Sequence, residues 1–208
     1  MLRLMFSGIT RGLFPVVEVS REPGLLRFAV TLGDYGADLS PGASVSIEGV
    51  CQTVTRFADG VAHFDAIQET LDKTSLGELE VGLEVSVERS ARFGDELGGH
   101  EVSGHVTGTG RLIERVVEGH EVRLRVQVLK DWMRFILPKG FIALDGSSFT
   151  VGAELGEDSF DVFLIPETLR LTRLGDKPLG ARINVELDPK TVAIVHTVER
   201  VLASRQLG

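Results

Sequence analysis

The feature that most constrains this chain is that it repeats itself. Gly49-Val50-Cys51-Gln52-Thr53-Val54 returns as Gly146-Ser147-Ser148-Phe149-Thr150-Val151, a shift of 97 residues. Glu69-Thr70-Leu71, followed by Thr74, Leu76, Gly77, Gly82, Val87 and Glu88, returns at a shift of 98 with nine of twenty positions identical. Ser7-Gly8-Ile9-Thr10 matches Ser103-Gly104-His105-Val106 at a shift of 96. Three blocks in the same order at nearly one period mean a tandem duplication. The chain is therefore expected to form two homologous halves, 1–97 and 98–188, followed by a tail, 189–208.

Inside each half the apolar residues alternate. Ala43 to Ile47, Glu84 to Glu88, Val122 to Val128 and Ile183 to Leu187 carry the period-two pattern of half-buried strands. Short strands broken by glycine turns point to an all-β antiparallel barrel or sandwich rather than to parallel βαβ units, with a small closed barrel expected in each half. Leu129 to Leu137 reads as a short helix, with Trp132, Phe135 and Ile136 on one face and Pro138 ending it. In the tail, Asp188 suits an N-cap and Pro189 the first helical position. Ile194, Val198, Val201 and Leu202 make one apolar stripe, which either covers a barrel or meets copies of itself in an oligomer.

A formal charge of −8 argues against general affinity for nucleic acid or an anionic membrane, leaving a small molecule or another protein as partner. Cys51 is the sole cysteine, so no internal disulfide is expected. The N-terminal residues lack the apolar stretch of a signal peptide and no run is long enough to span a membrane, which makes a cytoplasmic setting the expectation.

The glycines form neither a phosphate loop nor a dinucleotide fingerprint, and there is no hydrolase serine elbow. His100 and His105 are five apart, so on a helix they would diverge by about 140°; no metal site is expected. Polar and nucleophilic residues within the repeated blocks remain. Cys51 and Ser148 are equivalent, and each is followed two positions later by a threonine, Thr53 or Thr150, facing the same way on a strand. Such residues are as readily small core-fillers as reactive groups. His105 stands where the first half has Ile9, so it either transfers protons or caps a turn. His63, His120 and His196 read as surface or packing residues. Lys139 is either solvated or reaches into a cleft.

At these residues the chain resembles the riboflavin synthase alpha-subunit family over essentially its whole length. The matching motifs are Met5 to Ile9, Gly49 to Val54, Gly98 to Val106, Lys139 to Gly146, Ser148 to Val151 and Ile165 to Leu169. The resemblance implies two six-stranded Greek-key barrels and a C-terminal helix that holds a homotrimer. It also implies a dismutation without metal or redox cofactor: one 6,7-dimethyl-8-ribityllumazine gives a four-carbon unit to a second, yielding riboflavin and a diaminopyrimidine. The active site it implies lies between the first half of one subunit and the second half of its neighbour.

Carried across by motif, one pocket uses Gly8, Ile9, Thr10, Cys51, Gln52, Thr53 and the run Asp65, Ala66, Ile67, Gln68, Glu69 and Thr70. The other uses Gly104, His105, Val106, Lys139, Ser148, Phe149, Thr150 and the run Phe163, Leu164, Ile165, Pro166, Glu167 and Thr168. Backbone groups are expected to pair with the pyrimidinedione edge, and hydroxyls such as that of Thr150 to hold the ribityl chain or assist catalysis. His105 is expected to transfer a proton, Ser148 to position or activate water, and Cys51 to act as nucleophile or anion stabiliser.

The chain departs from the family pattern at several positions. Gln52 and Phe149 replace leucine, Glu48 stands where asparagine is common, Ser7 and Thr10-Arg11 alter the opening, and residues 1–4 precede the usual start. Alternation sends Glu48 and Gln52 away from Cys51; a bulge at Gly49 would instead turn the Glu48 carboxylate toward the site and oppose a lumazine anion. The competing expectation is a non-catalytic lumazine- or flavin-binding paralogue of the antenna type.

Overall fold

A computed structural model describes residues 6–92 and 94–205; the extension at 1–4 and Met5 lie outside the described residues. The first half holds strands β1 (Gly12–Glu22), β2 (Leu25–Thr31), β3 (Ser44–Ile47), β4 (Val50–Ala58), β5 (Val61–Ile67) and β6 (Glu84–Arg89), with helix α1 (Gln68–Lys73) after β5. They close into an antiparallel barrel in the order β1-β2-β5-β4-β3-β6. Strands β3, β4 and β5 run consecutively and β2 returns beside β5, which is a Greek key.

The second half repeats the plan with β7 (Gly108–Glu118), β8 (Glu121–Gln127), β9 (Phe141–Leu144), β10 (Ser147–Thr150), β11 (Ser159–Leu164), α2 (Pro166–Leu171) and β12 (Arg182–Leu187). Its order, β10-β9-β12-β7-β8-β11, is the same cycle with β10 and β11 as the end strands. The physical reason is strand length. β4 runs to Ala58 and pairs with β5 beyond a bulge at Val54/Arg56, whereas β10 stops at Thr150, and Gly152 then donates to the Asp161 carbonyl at 2.7 Å.

Alternation puts one face of every strand inside. Leu26, Phe28, Val45, Ile47, Val54 and Phe64 fill the first interior; Leu112, Leu124, Ile142, Phe149, Phe160 and Leu164 fill the second.

The two halves meet at their hairpin turns. The register Ile47↔Val50 and Leu144↔Ser147 leaves two-residue turns, Glu48-Gly49 and Asp145-Gly146, with φ of +48° and +79°, and +44° and +83°. Both residues of each turn are left-handed, the geometry that matches strand twist and favours glycine second. The turns abut so closely that a Cβ at Gly49 would lie 2.3 Å from the Gly146 nitrogen.

The segment expected as a helix over Leu129 to Leu137 forms only a 3-10 turn, Lys130–Phe135, burying Phe135 and leaving Ile136 extended on the core. The tail helix α3 (Pro189–Arg205) forms as expected. Its cap is Asp188, whose Oδ2 accepts from the Thr191 backbone N–H at 2.9 Å and the Thr191 hydroxyl at 2.6 Å. Asp188→Ala is expected to lower stability by about 1 kcal/mol, read as a lower thermal midpoint by circular dichroism. Val192 and Val195 pack on the second half, while Ile194, Val198, Val201 and Leu202 stay exposed. Among the described residues no helix is long and apolar enough to cross a membrane.

Candidate active site

On β4 the outward positions are Cys51, half-buried, and Thr53, exposed; on β10 they are Ser148, half-buried, and Thr150, exposed. The paired polar walls expected from i, i+2 spacing therefore exist, on the outside of each half. Several residues assigned to the pockets turn the other way. Gln52, Phe149, Ala66 and Leu164 are buried in the interiors, so their side chains offer nothing to an outer ligand. Gln52 donates from Nε2 to the Cys51 carbonyl at 3.1 Å. Thr10 is buried too, its hydroxyl 2.7 Å from that of Ser147. The leucine replacements at Gln52 and Phe149 are accordingly changes of interior packing.

Glu48 neither continues β3 nor bulges toward Cys51. It occupies the hairpin turn, and its carboxylate accepts from the Ser86 backbone N–H at 2.7 Å and pairs with Lys177 at 3.3 Å. The left-handed turn directs it into the boundary between halves, away from the outer wall.

The arms of the two halves are exchanged. Phe6 and Val102 pair antiparallel, N–H to carbonyl at 2.9 and 3.1 Å, and each segment then runs on to the opposite half. The Gly104 carbonyl accepts from Cys51 N–H at 2.9 Å, and the Gly8 carbonyl accepts from Ser148 N–H at 2.8 Å. Gly8 and Gly104 are left-handed, and a Cβ at Gly104 would lie 2.6 Å from that of Cys51. The motif-based grouping put Gly104 with Ser148 and Gly8 with Cys51; in the structure Gly104, His105 and Val106 lie beside Cys51, and Gly8 lies beside Ser148. Antiparallel pairing of equivalent segments relates the halves by an approximate two-fold axis, and such an axis crosses the arms.

Around Cys51 lies a cleft of about 270 Å³, lined by Val50, Glu69, Thr70, Lys73, Thr74 and the arm Gly104-His105-Val106. Burial pushes the Cys51 thiol up, against a lowering hydrogen bond to Ser44, so it is a thiol rather than a thiolate at neutral pH. His105 is exposed on the rim, its backbone N–H donating to Ser103 Oγ at 3.1 Å. Asp65, Ile67 and Gln68 are exposed where β5 passes into α1.

Around Ser148 the hydroxyl lies 2.6 Å from His100 Nδ1, and the His100 ring stacks on Phe141 with centroids 5.1 Å apart. Burial holds His100 below the ordinary imidazole range, outweighing the pull of Asp188, so at neutral pH the ring is uncharged and Nδ1 can accept the Ser148 proton. Ile9 reaches toward Gly98. Phe163, Ile165, Pro166 and Glu167 are exposed along β11 and α2, with Thr168 half-buried. Lys139 is exposed in a left-handed turn leading into β9. His100 had a motif but no role in the sequence reading, because only the fold carries it to Ser148, 48 residues away. His63 lies against Arg56 and His196 packs on Phe135, as surface and packing residues.

Comparison with known proteins matches this frame. A family described as the lumazine binding domain matches residues 7–90 and again 103–188. Riboflavin synthase of Escherichia coli is 46% identical, covering 97% of this chain and 95% of that protein. Riboflavin synthase of Mycobacterium bovis is 41% identical, covering 96% and 99%, and that of Chlamydia pneumoniae 39%, covering 96% and 98%. Among solved structures, LumP complexed with riboflavin superposes with a TM-score of 0.81 at 26% identity, covering 88% of this chain and all of that one. LumP complexed with 6,7-dimethyl-8-(1'-D-ribityl) lumazine gives 0.78 at 26% identity, covering 88% and 98%. With two lumazine-binding repeats and curated relatives at up to 46% identity along nearly the full chain, this protein belongs to the riboflavin synthase family.

Proposed function

We propose that this chain is a riboflavin synthase, converting two 6,7-dimethyl-8-ribityllumazines into riboflavin and 5-amino-6-ribitylamino-pyrimidinedione. The observation that carries this is the pair of equivalent outer walls, at Cys51 and at Ser148, in a chain 46% identical to a riboflavin synthase. One lumazine sits on each wall. Backbone groups of the Asp65 to Thr70 and Phe163 to Thr168 runs are available to the pyrimidinedione edge; Thr53 and Thr150 are available to the ribityl chains. The protein's part is to hold two planar rings together and to move protons, so that a bimolecular step becomes one within a complex.

Donor opening needs a nucleophile, and the C7 methyl of one lumazine must lose a proton. His105, exposed beside the Cys51 cleft, is assigned that proton. The Ser148 hydroxyl, with neutral His100 as acceptor, is assigned the activation of water. The raised Cys51 thiol acts as hydrogen-bond donor to developing negative charge rather than as a resident thiolate. The exposed α3 stripe supports assembly as a homotrimer in which the first half of one subunit faces the second half of the next, and a cytoplasmic setting is part of the same proposal.

Incubation with 6,7-dimethyl-8-ribityllumazine, followed by chromatography, is expected to show one riboflavin per two substrates consumed. Bound but unconverted lumazine would place the chain instead with non-catalytic lumazine- or flavin-binding paralogues. Cys51→Ser and His105→Gln are expected to lower kcat by roughly 10² or more with KM little changed, as for loss of groups acting in the transition state. Equal loss of binding and turnover would remove their catalytic assignment.

A further inference from the structure

Each exchanged arm is held by a buried carboxylate of its own half. Glu186 on β12 accepts at Oε1 from the Ser103 backbone N–H and hydroxyl, both at 2.7 Å, and at Oε2 from the Gly104 N–H at 2.9 Å. Its equivalent on β6, Glu88, accepts at Oε1 from the Ser7 backbone N–H and hydroxyl, again both at 2.7 Å, and faces the Gly8 N–H. Both carboxylates are buried, and both oxygens of Glu186 are in use. Hydrogen bonds to an ionised acceptor are about twice as strong as neutral ones, so these are the firmest contacts of the arms.

The far side of each arm lies on the other half, where Gly104 meets Cys51 and Gly8 meets Ser148. We propose that Glu186 is a positioning residue for the Cys51 site and Glu88 for the Ser148 site, so that the carboxylate of each half governs the ligand wall of the other. The proposal deepens the reading of these walls as lumazine sites and rests on it only for its effect on turnover.

The amide of glutamine places an NH2 where Glu186 Oε2 accepts, so a donor would face the Gly104 N–H and the arm must shift. Glu186→Gln should therefore loosen the arm that carries His105 and covers Cys51. Cys51 is the only thiol in the chain, so its alkylation rate by iodoacetamide reports one site alone. The rate is expected to rise about tenfold in Glu186→Gln and to stay within twofold in Glu88→Gln. The His100 imidazole, followed by NMR, is expected to behave the opposite way, titrating nearer the ordinary histidine range in Glu88→Gln and unchanged in Glu186→Gln.

In turnover, Glu186→Gln is expected to raise KM together with a fall in kcat, and Glu186→Asp to recover part of both. Should Glu186→Gln fold poorly, Ser103→Ala removes the hydroxyl donor to Glu186, and with it the acceptor of the His105 N–H, while leaving the carboxylate in place, and should raise Cys51 alkylation two- to threefold, a smaller step in the same direction. Equal responses of Cys51 to the Glu88 and Glu186 variants, or no response to either, would overturn the proposal. Crossed responses with unaltered turnover would support the positioning and instead remove the reading of these walls as catalytic.

Discussion

Gly146→Ala is expected to lose about 3 kcal/mol of stability or more, measured by urea unfolding, out of the roughly 5–15 kcal/mol that holds a protein of this kind together. Two costs add. Gly146 has φ +83°, which a side chain disfavours by about 1–2 kcal/mol. A Cβ there would lie 2.7 Å from Gly49 Cα and 2.9 Å from Gly49 N, so backbone must move, an overpacking cost of about 1–3 kcal/mol. Gly180→Ala separates the two, since Gly180 has φ +86° but nothing within 4 Å of its Cβ position. It should lose only the conformational part. If the two variants were equally stable, the turns would not be in contact and the halves would meet elsewhere.

Lys177→Met is expected to cost about 3–5 kcal/mol at neutral pH, because it leaves two buried carboxylates without their cation. Lys177 Nζ lies 2.6 Å from Asp145 and 3.3 Å from Glu48, and all three side chains are buried at the boundary between halves. Two carboxylates share one ammonium. Burial pushes Asp145 up to about 6, with Lys177 opposing and Glu48 adding to the rise. Attraction to both carboxylates outweighs burial and raises Lys177.

The sign of the pH dependence follows. A folded pKa above the unfolded value of 3.8 means that protonated Asp145 is favoured by the fold. Its contribution to stability is fully present below about 3.8 and is lost as pH rises through about 6. Asp145→Asn should flatten stability over that window. The Lys177→Met deficit should shrink in acid, as the stranded carboxylates take up protons. Unfolding midpoints at pH 4.5 and 7 test both, and a deficit independent of pH would mean that Lys177 acts through packing alone.

The largest structural facts were legible in the residues. Alternation in β3, β6, β8 and β12 marks strands because an apolar residue at every second position can face only one side of a sheet. The 96–98 residue repeat marks two copies of one plan, since equivalent strands fall at equivalent positions. Asp188 and Pro189 mark the start of α3 because a carboxylate cap and a residue without N–H both suit a helix start. The outward pairing of Cys51 with Thr53 and of Ser148 with Thr150 follows from the same alternation.

Other features depend on groups far apart in the chain. Nothing local in Ser7-Gly8 or Ser103-Gly104 says which half they serve; that depends on Phe6 pairing with Val102. Glu48 read as a strand residue facing away from Cys51 and is a turn residue, because the register of β3 with β4 places it there and Asp145-Gly146 packs against the turn. His100 gains its partner only when Ser148 is brought beside it.

The sequence by itself determined the period-two alternation of the strands, because strand periodicity is a local property of the backbone. It also determined that the pattern occurs twice and that the family is that of the riboflavin synthases. Only the tertiary structure decided which arm completes which site and where the buried charges of Glu48, Asp145 and Lys177 meet. Those depend on long-range packing about an approximate two-fold axis, and no short stretch of sequence contains that axis.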